Sequence, residues 1–240
     1  MRDRILFYRS TDGGGTIGSF DGMTIKNEQT ITAGSFATNW TQIAGLSGNR
    51  ILYYSRSPGR VLIGSIDASN HLTDVVALPA GFAQDWTQIT GLSGDRILFY
   101  SPSGASGFDG GRVVIDSIST DNKLTQLALV TEFEQDWTQI TGLSGDRILY
   151  YSASDGRILI GAIDAENFLS DVTAVPTADL PPGGPWSLIT QVGKVILFYN
   201  RATGGGRFVS IDDENRLTDA LIIPAGTLGQ NWTQSPWVGF

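Results

Sequence analysis

Five tryptophans, Trp40, Trp86, Trp137, Trp186 and Trp232, stand 46, 51, 49 and 46 residues apart. A period of that length restricts the fold to an array of one supersecondary unit, because each unit must bury its apolar face against its neighbours. Four of the five open the tripeptide Trp-Thr-Gln; only Trp186, followed by Ser187 and Leu188, departs. About eleven residues after the first four comes an apolar tetrad: Ile-Leu-Tyr-Tyr at 51–54 and 148–151, Ile-Leu-Phe-Tyr at 97–100 and 196–199. The fifth tetrad, at 5–8, opens the chain.

Two more runs complete each repeat, a third at 60–67, 112–119 and 157–164 and a fourth at 72–79 and 169–176. Short runs rich in β-branched and aromatic residues, punctuated by Gly, Asn, Asp, Ser and Pro, read as four antiparallel strands, which is one propeller blade. Continuous apolar tetrads suit strands covered on both faces. The chain begins at the second strand of a repeat and ends just after a first strand, so the two fragments together make one unit. An open array would carry polar capping repeats instead. The expectation is therefore an all-β five-bladed β-propeller over residues 1–240, a single domain closed by pairing of its N- and C-terminal strands. Thirty glycines and a charged fraction of 17% agree with many tight turns and little helix.

Sixteen basic against twenty-four acidic residues give a net charge of −8, which disfavours nucleic acid as a partner. The chain has no cysteine, so disulfides and thiolate metal sites are excluded. No apolar run is long enough for a signal-peptide core or membrane insertion, and the expected location is cytoplasmic or released without a leader. No cofactor and no metal site are expected.

Catalysis is narrowed by counting. The single histidine, His71, has Lys123, Phe168 and Arg216 at the matching places of other repeats and reads as a loop-surface residue. Acids such as Asp67, Asp164 and Asp212, or Asp74, Asp171 and Asp219, recur with the repeat, as turn residues do. These counts lead to the expectation of a protein that is not an enzyme. A glycosidase, which needs two carboxylates flanking one bond, stands third among the readings.

The recurring aromatic and polar residues are the candidate ligand positions. On a strand alternate residues share a face, so Trp40 with Gln42, Trp86 with Gln88, Trp137 with Gln139 and Trp232 with Gln234 are expected to point the same way. An indole beside an amide suits a pyranose, whose C–H face stacks while its hydroxyls bond. Tyr54, Tyr100, Tyr151 and Tyr199 end the second strand, and Arg60, Arg112, Arg157 and Arg207 follow turn glycines, where a guanidinium can meet sugar hydroxyls. Each set also has a structural reading: indole packing, a glutamine tied to buried backbone, a tyrosine in the core, an arginine paired with a repeated aspartate.

The string from Trp86 through Ser101 resembles the repeat of bacterial and fungal propeller lectins, and the five-fold count with its period near 47 residues is similar to the tachylectin-type five-bladed lectins. That resemblance implies sugar sites on each blade or between adjacent blades, with carbohydrate as the partner. Related repeats carry several spaced aspartates before the second strand, suited to calcium; only Asn49, Asp95 and Asp146 stand there in this chain, with Gly193 and Lys194 in the fourth repeat. Residues 85–98 and 136–149 are identical, more sameness than packing demands, which recognition or recent duplication would each explain. A protein-interaction scaffold is the second reading, using the irregular segments 101–111 and 180–185.

Overall fold

In a computed structural model, described here for residues 3–22, 24–79, 82–103, 110–176 and 179–238, the second-strand tetrads are the centre of five sheets. Blade one is β4 (Gln42–Gly45), β5 (Arg50–Ser55), β6 (Arg60–Ile66) and β7 (Leu72–Ala77). Blade two is β8 (Gln88–Leu92), β9 (Arg96–Ser101), β10 (Gly111–Ile118) and β11 (Leu124–Phe133). Blade three is β12 (Gln139–Leu143), β13 (Arg147–Tyr151), β14 (Ile158–Ile163) and β15 (Leu169–Ala174), and blade four is β16 (Leu188–Val192), β17 (Val195–Asn200), β18 (Gly205–Ile211) and β19 (Leu217–Ile223). Blade five joins β20 (Trp237–Val238) to β1 (Asp3–Arg9), β2 (Gly14–Phe20) and β3 (Ile25–Ile31).

The ring closes as the split repeat requires. Trp237 pairs with Ile5, Leu6 N–H donates to Pro236 O at 3.1 Å, and Tyr8 N–H donates to Gln234 O at 2.9 Å. The first strands β4, β8, β12, β16 and β20 lie innermost and touch in sequence around the axis. They approach so closely that a Cβ on Gly142 would lie 2.1 Å from Gly91 O, and one on Gly45 would overlap Trp237 O. The channel between them keeps only about 60 Å³ of free space.

Each tetrad divides its side chains between two cores. Ile97 and Phe99 face blade one, packing with Leu52 and Tyr54, whereas Leu98 and Tyr100 face blade three, packing with Ile148 and Tyr150. The same division recurs in every blade, so the described residues form five interblade cores and no single central one. With roughly 1.5–3 kcal/mol gained for each large apolar side chain buried, each tetrad is the main adhesive for both of its neighbours.

The loop between first and second strands adds polar links. Asn49, Asp95 and Asp146 adopt left-handed backbone, φ 62°, 56° and 58°, each directly after a left-handed glycine. That turn sends the two carboxylates to the preceding blade, where Asp95 meets Arg50 at 2.7 Å and Asp146 meets Arg96 at 2.5 Å. Ser47 and Ser93 bond the same two carboxylates. These acids are interblade fasteners.

Candidate functional site

The sugar-platform geometry expected from strand alternation does not form. Regular strand begins only at Gln42, Gln88 and Gln139, so the period-two rule does not extend back to the tryptophans. The glutamines line the central channel together with Gln234, while the tryptophans lie outside it. Three of the glutamines link blades: Gln42 Nε2 donates to Thr87 O at 2.6 Å, Gln88 to Thr138 O at 2.8 Å and Gln234 to Thr41 O at 3.0 Å. Gln139 holds the same register, opposite Tyr151.

The tyrosines that end the second strand are buried tethers. Tyr8, Tyr54, Tyr100 and Tyr199 donate their hydroxyls to the carbonyls of Ala37, Ala83, Glu134 and Gly229 at 2.7, 2.7, 2.9 and 3.1 Å, each carbonyl lying on the segment that leads to the next blade. Tyr151 instead accepts from Trp186 N–H at 3.2 Å. Burial raises the pKa of the Tyr8, Tyr54, Tyr100 and Tyr199 phenols, that of Tyr100 to about 12.

Each tryptophan is packed between a ring and, in four blades, a cation. Trp40, Trp86, Trp137, Trp186 and Trp232 meet Tyr53, Phe99, Tyr150, Phe198 and Phe7 at centroid distances of 5.4–5.7 Å. Arg60, Arg112 and Arg157 lie over Trp40, Trp86 and Trp137 at 4.7, 4.4 and 4.6 Å. Over Trp232 the cation is Arg9, at 5.3 Å. Two of the stacked guanidiniums are held by the residue before the indole, Arg112 by Asp85 at 2.7 Å and Arg157 by Asp136 at 2.8 Å.

Arg207 does not belong to this set. Its partner across the sheet is Phe198, the register of Leu62 and Val114, whereas Gly205 occupies the register of Arg60 and Arg112. The glycine before Arg207 suggested equivalence, but the turn in blade four exits two residues earlier. Arg207 pairs with Asp219 on β19.

What remains open at the tryptophans is an edge, and that edge lines a cleft between blades. The cleft at Trp40, about 550 Å³, is walled by Tyr53, Phe36 and Leu62, with Ile31 and Thr32 of blade five opposite and Asn70 and His71 at its side. The cleft at Trp86, also about 550 Å³, repeats this with Phe99, Phe82 and Val114, then Leu78 and Pro79 of blade one, then Asn122 and Lys123. The cleft at Trp232, about 400 Å³, uses Phe7, Leu228 and Thr16, then Ile223 and Pro224 of blade four, then Thr24 and Ile25. These volumes suit a small organic ligand. Phe36, Phe82 and the ring at the third tetrad position were not among the ligand residues expected from sequence, which read the tetrad ring only as part of a covered strand. The signal available was a phenylalanine four residues before three of the tryptophans, Phe36, Phe82 and Phe133. Most of segment 101–111 lies outside the described residues, as do the side chains of Asp74 and Asp171.

No protein-family model matches the chain, and no curated protein matches it. Solved structures do. A nidogen/laminin complex component aligns with a TM-score of 0.51 at 10% identity, over 98% of each chain. A putative 6-phosphogluconolactonase from Bacteroides uniformis aligns at 0.47 and 16%, covering 96% of this chain and 70% of that one, and a periplasmic gluconolactonase from Pseudomonas aeruginosa at 0.44 and 13%, covering 93% and 68%. Likeness at these identities is likeness of fold alone, the five blades being read from this chain's own sheets, and none of the three is described as a lectin. The expectation of a non-enzyme is corrected here: similar solved rings include enzymes, and a count of histidines and cysteines does not exclude catalysis on this fold.

Proposed function

We propose that the protein is a carbohydrate-binding protein whose sugar sites are the interblade clefts. The observation that supports this reading is repetition. Three clefts set an indole, a tetrad ring and a hairpin shoulder at corresponding positions, with different residues on the shoulders, and a site repeated around a ring suits a ligand that itself repeats along a polymer or surface. The indole edge and the neighbouring ring offer an apolar wall to the C–H face of a pyranose. Asn70, Asn122 and the threonines at the mouths can bond hydroxyls. Each site on this reading is weak, and avidity on a glycan-coated surface comes from effective concentration.

Calorimetric titration with a panel of neutral oligosaccharides tests it. More than one site per chain is expected, with one site lost in Phe82→Ala while the melting temperature stays close to that of the parent. Absence of binding to every oligosaccharide at millimolar concentration would sink the proposal.

A further inference from the structure

The three clefts are not equal. In every blade the third strand bulges against the fourth at the residue facing the first isoleucine of the tetrad. That residue is Gly18, Gly64, Gly161 or Val209 in four blades, facing Ile5, Ile51, Ile148 and Ile196. In blade two it is Asp116, facing Ile97. A position that elsewhere carries no side chain or an apolar one therefore carries a carboxylate, and it borders the cleft at Trp86 beside Phe82 and Phe99.

Asp116 Oδ1 is buried without a hydrogen-bond partner among the described residues. Cations on the surrounding elements are engaged elsewhere. Lys123, which lines the same cleft, pairs with Asp121 at 2.6 Å; Arg112 pairs with Asp85 and Arg50 with Asp95, both at 2.7 Å. Burial pushes the Asp116 carboxyl up to about 6, which still leaves it mostly ionised at neutral pH. A partly desolvated carboxylate with one buried oxygen unpaired, bordering an aromatic-lined cleft, is a standing cost to the free protein, relieved by a ligand that brings N–H donors and positive charge together.

We propose that the cleft between blades one and two takes a sugar bearing a free amino group, with its ammonium on Asp116 and its ring against the wall formed by Phe82, Trp86 and Phe99. This rests on the carbohydrate reading above and adds the charge of the ligand and the one cleft that selects it.

The probes are a glucosamine trimer, the same trimer N-acetylated, and ethanolamine as an amine without a sugar, each titrated at pH 7 against the parent protein, Asp116→Asn and Asp116→Gly. The glycine variant restores the residue found in three other blades, so it keeps the test valid if the asparagine variant folds poorly. The expected result is one site per chain that prefers the amino trimer by about tenfold or more, with the preference lost in both variants. Equal affinity for the two trimers in the parent, or a preference that survives both substitutions, overturns the proposal while leaving neutral-sugar binding at the other clefts to stand. Binding of ethanolamine that depends on Asp116, with no glycan bound anywhere, overturns the sugar assignment and the carbohydrate reading together.

Discussion

Arg50 of blade one reaches across the interface to Asp95 of the adjoining blade two, placing Nη2 2.7 Å from Oδ1 while its Nη1 donates to Ser119 O at 2.9 Å. The guanidinium is largely covered, with 16% of its side chain exposed, and Asp95 is more open at 41%. Removing the acid leaves a largely covered cation with one partner fewer. Asp95→Ala is expected to lower stability by about 1–2 kcal/mol, and Asp146→Ala by a similar amount. Because the two pairs occupy different interfaces, the double variant should show nearly additive losses in urea unfolding.

Identity between residues 85–98 and 136–149 now has a physical account. Gln88 bonds Thr138, Ser93 bonds Asp146, and Arg96 bonds Asp146, so one copy of the segment holds the next copy in the ring. Asp95 receives the equivalent bonds from Ser47 and Arg50 of blade one, so the acid of each copy is a receiver, while Arg147 of the second copy donates instead to Asp212 O.

Close approach of the inner strands makes glycine obligatory at some places and optional at others. A Cβ on Gly142 meets backbone at 2.1 Å, and backbone of a neighbouring blade cannot yield without opening the channel. A Cβ on Gly161 meets only the ring edge of Tyr150, at 3.1 Å. Gly142→Ala is expected to cost roughly 3 kcal/mol or more, whereas Gly161→Ala should cost about 1 kcal/mol. Thermal melts that rank the two variants the other way would contradict this packing.

Tyr100→Phe removes only the hydroxyl that bonds Glu134 O at 2.9 Å and leaves the ring in place. The expected loss is about 1 kcal/mol, with no change in sugar stoichiometry, because the hydroxyl faces the linker between blades. A lost sugar site in this variant would restore the tyrosines as ligand contacts.

Gln88→Ala separates channel from cleft. The side chain lines the channel and bonds Thr138 O, so the variant should lose about 1 kcal/mol and keep every sugar site. If calorimetry shows one site gone, the site is on the channel side and the clefts are not where sugar binds.

Spacing of the tryptophans and the split repeat were enough to read the ring, because both follow from strand order alone. Arg207 misled because a turn of different length moves a residue by two positions without altering the glycine before it. Trp86 and Gln88 misled because alternation applies only inside a strand, and β8 begins at Gln88. The clefts were legible only as a faint recurrence, a phenylalanine four residues before Trp40, Trp86 and Trp137; that Phe82 meets Phe99 depends on the linker from blade one folding over blade two, which the recurrence does not record.

Asp116 offers a pH-dependent test that needs no ligand. Its pKa is raised to about 6 by desolvation, above the ordinary aspartate value near 3.9. The folded chain therefore binds more protons than the unfolded chain between these two values, and stability contributed at this site falls as pH rises from about 4 to about 6, then stays low. Asp116→Asn removes the charge and keeps the shape. Because the carboxyl is only partly buried, solvent screening trims the full effect of the shift, and the expected gain for the variant is about 1 kcal/mol at pH 7.5, shrinking toward zero at pH 4. Urea unfolding of both proteins at the two pH values measures the difference. A gain that is the same at both would mean that the burial cost of the ionised carboxylate is not what separates them, and a loss at pH 7.5 would mean that Asp116 has a partner that stabilises its charge.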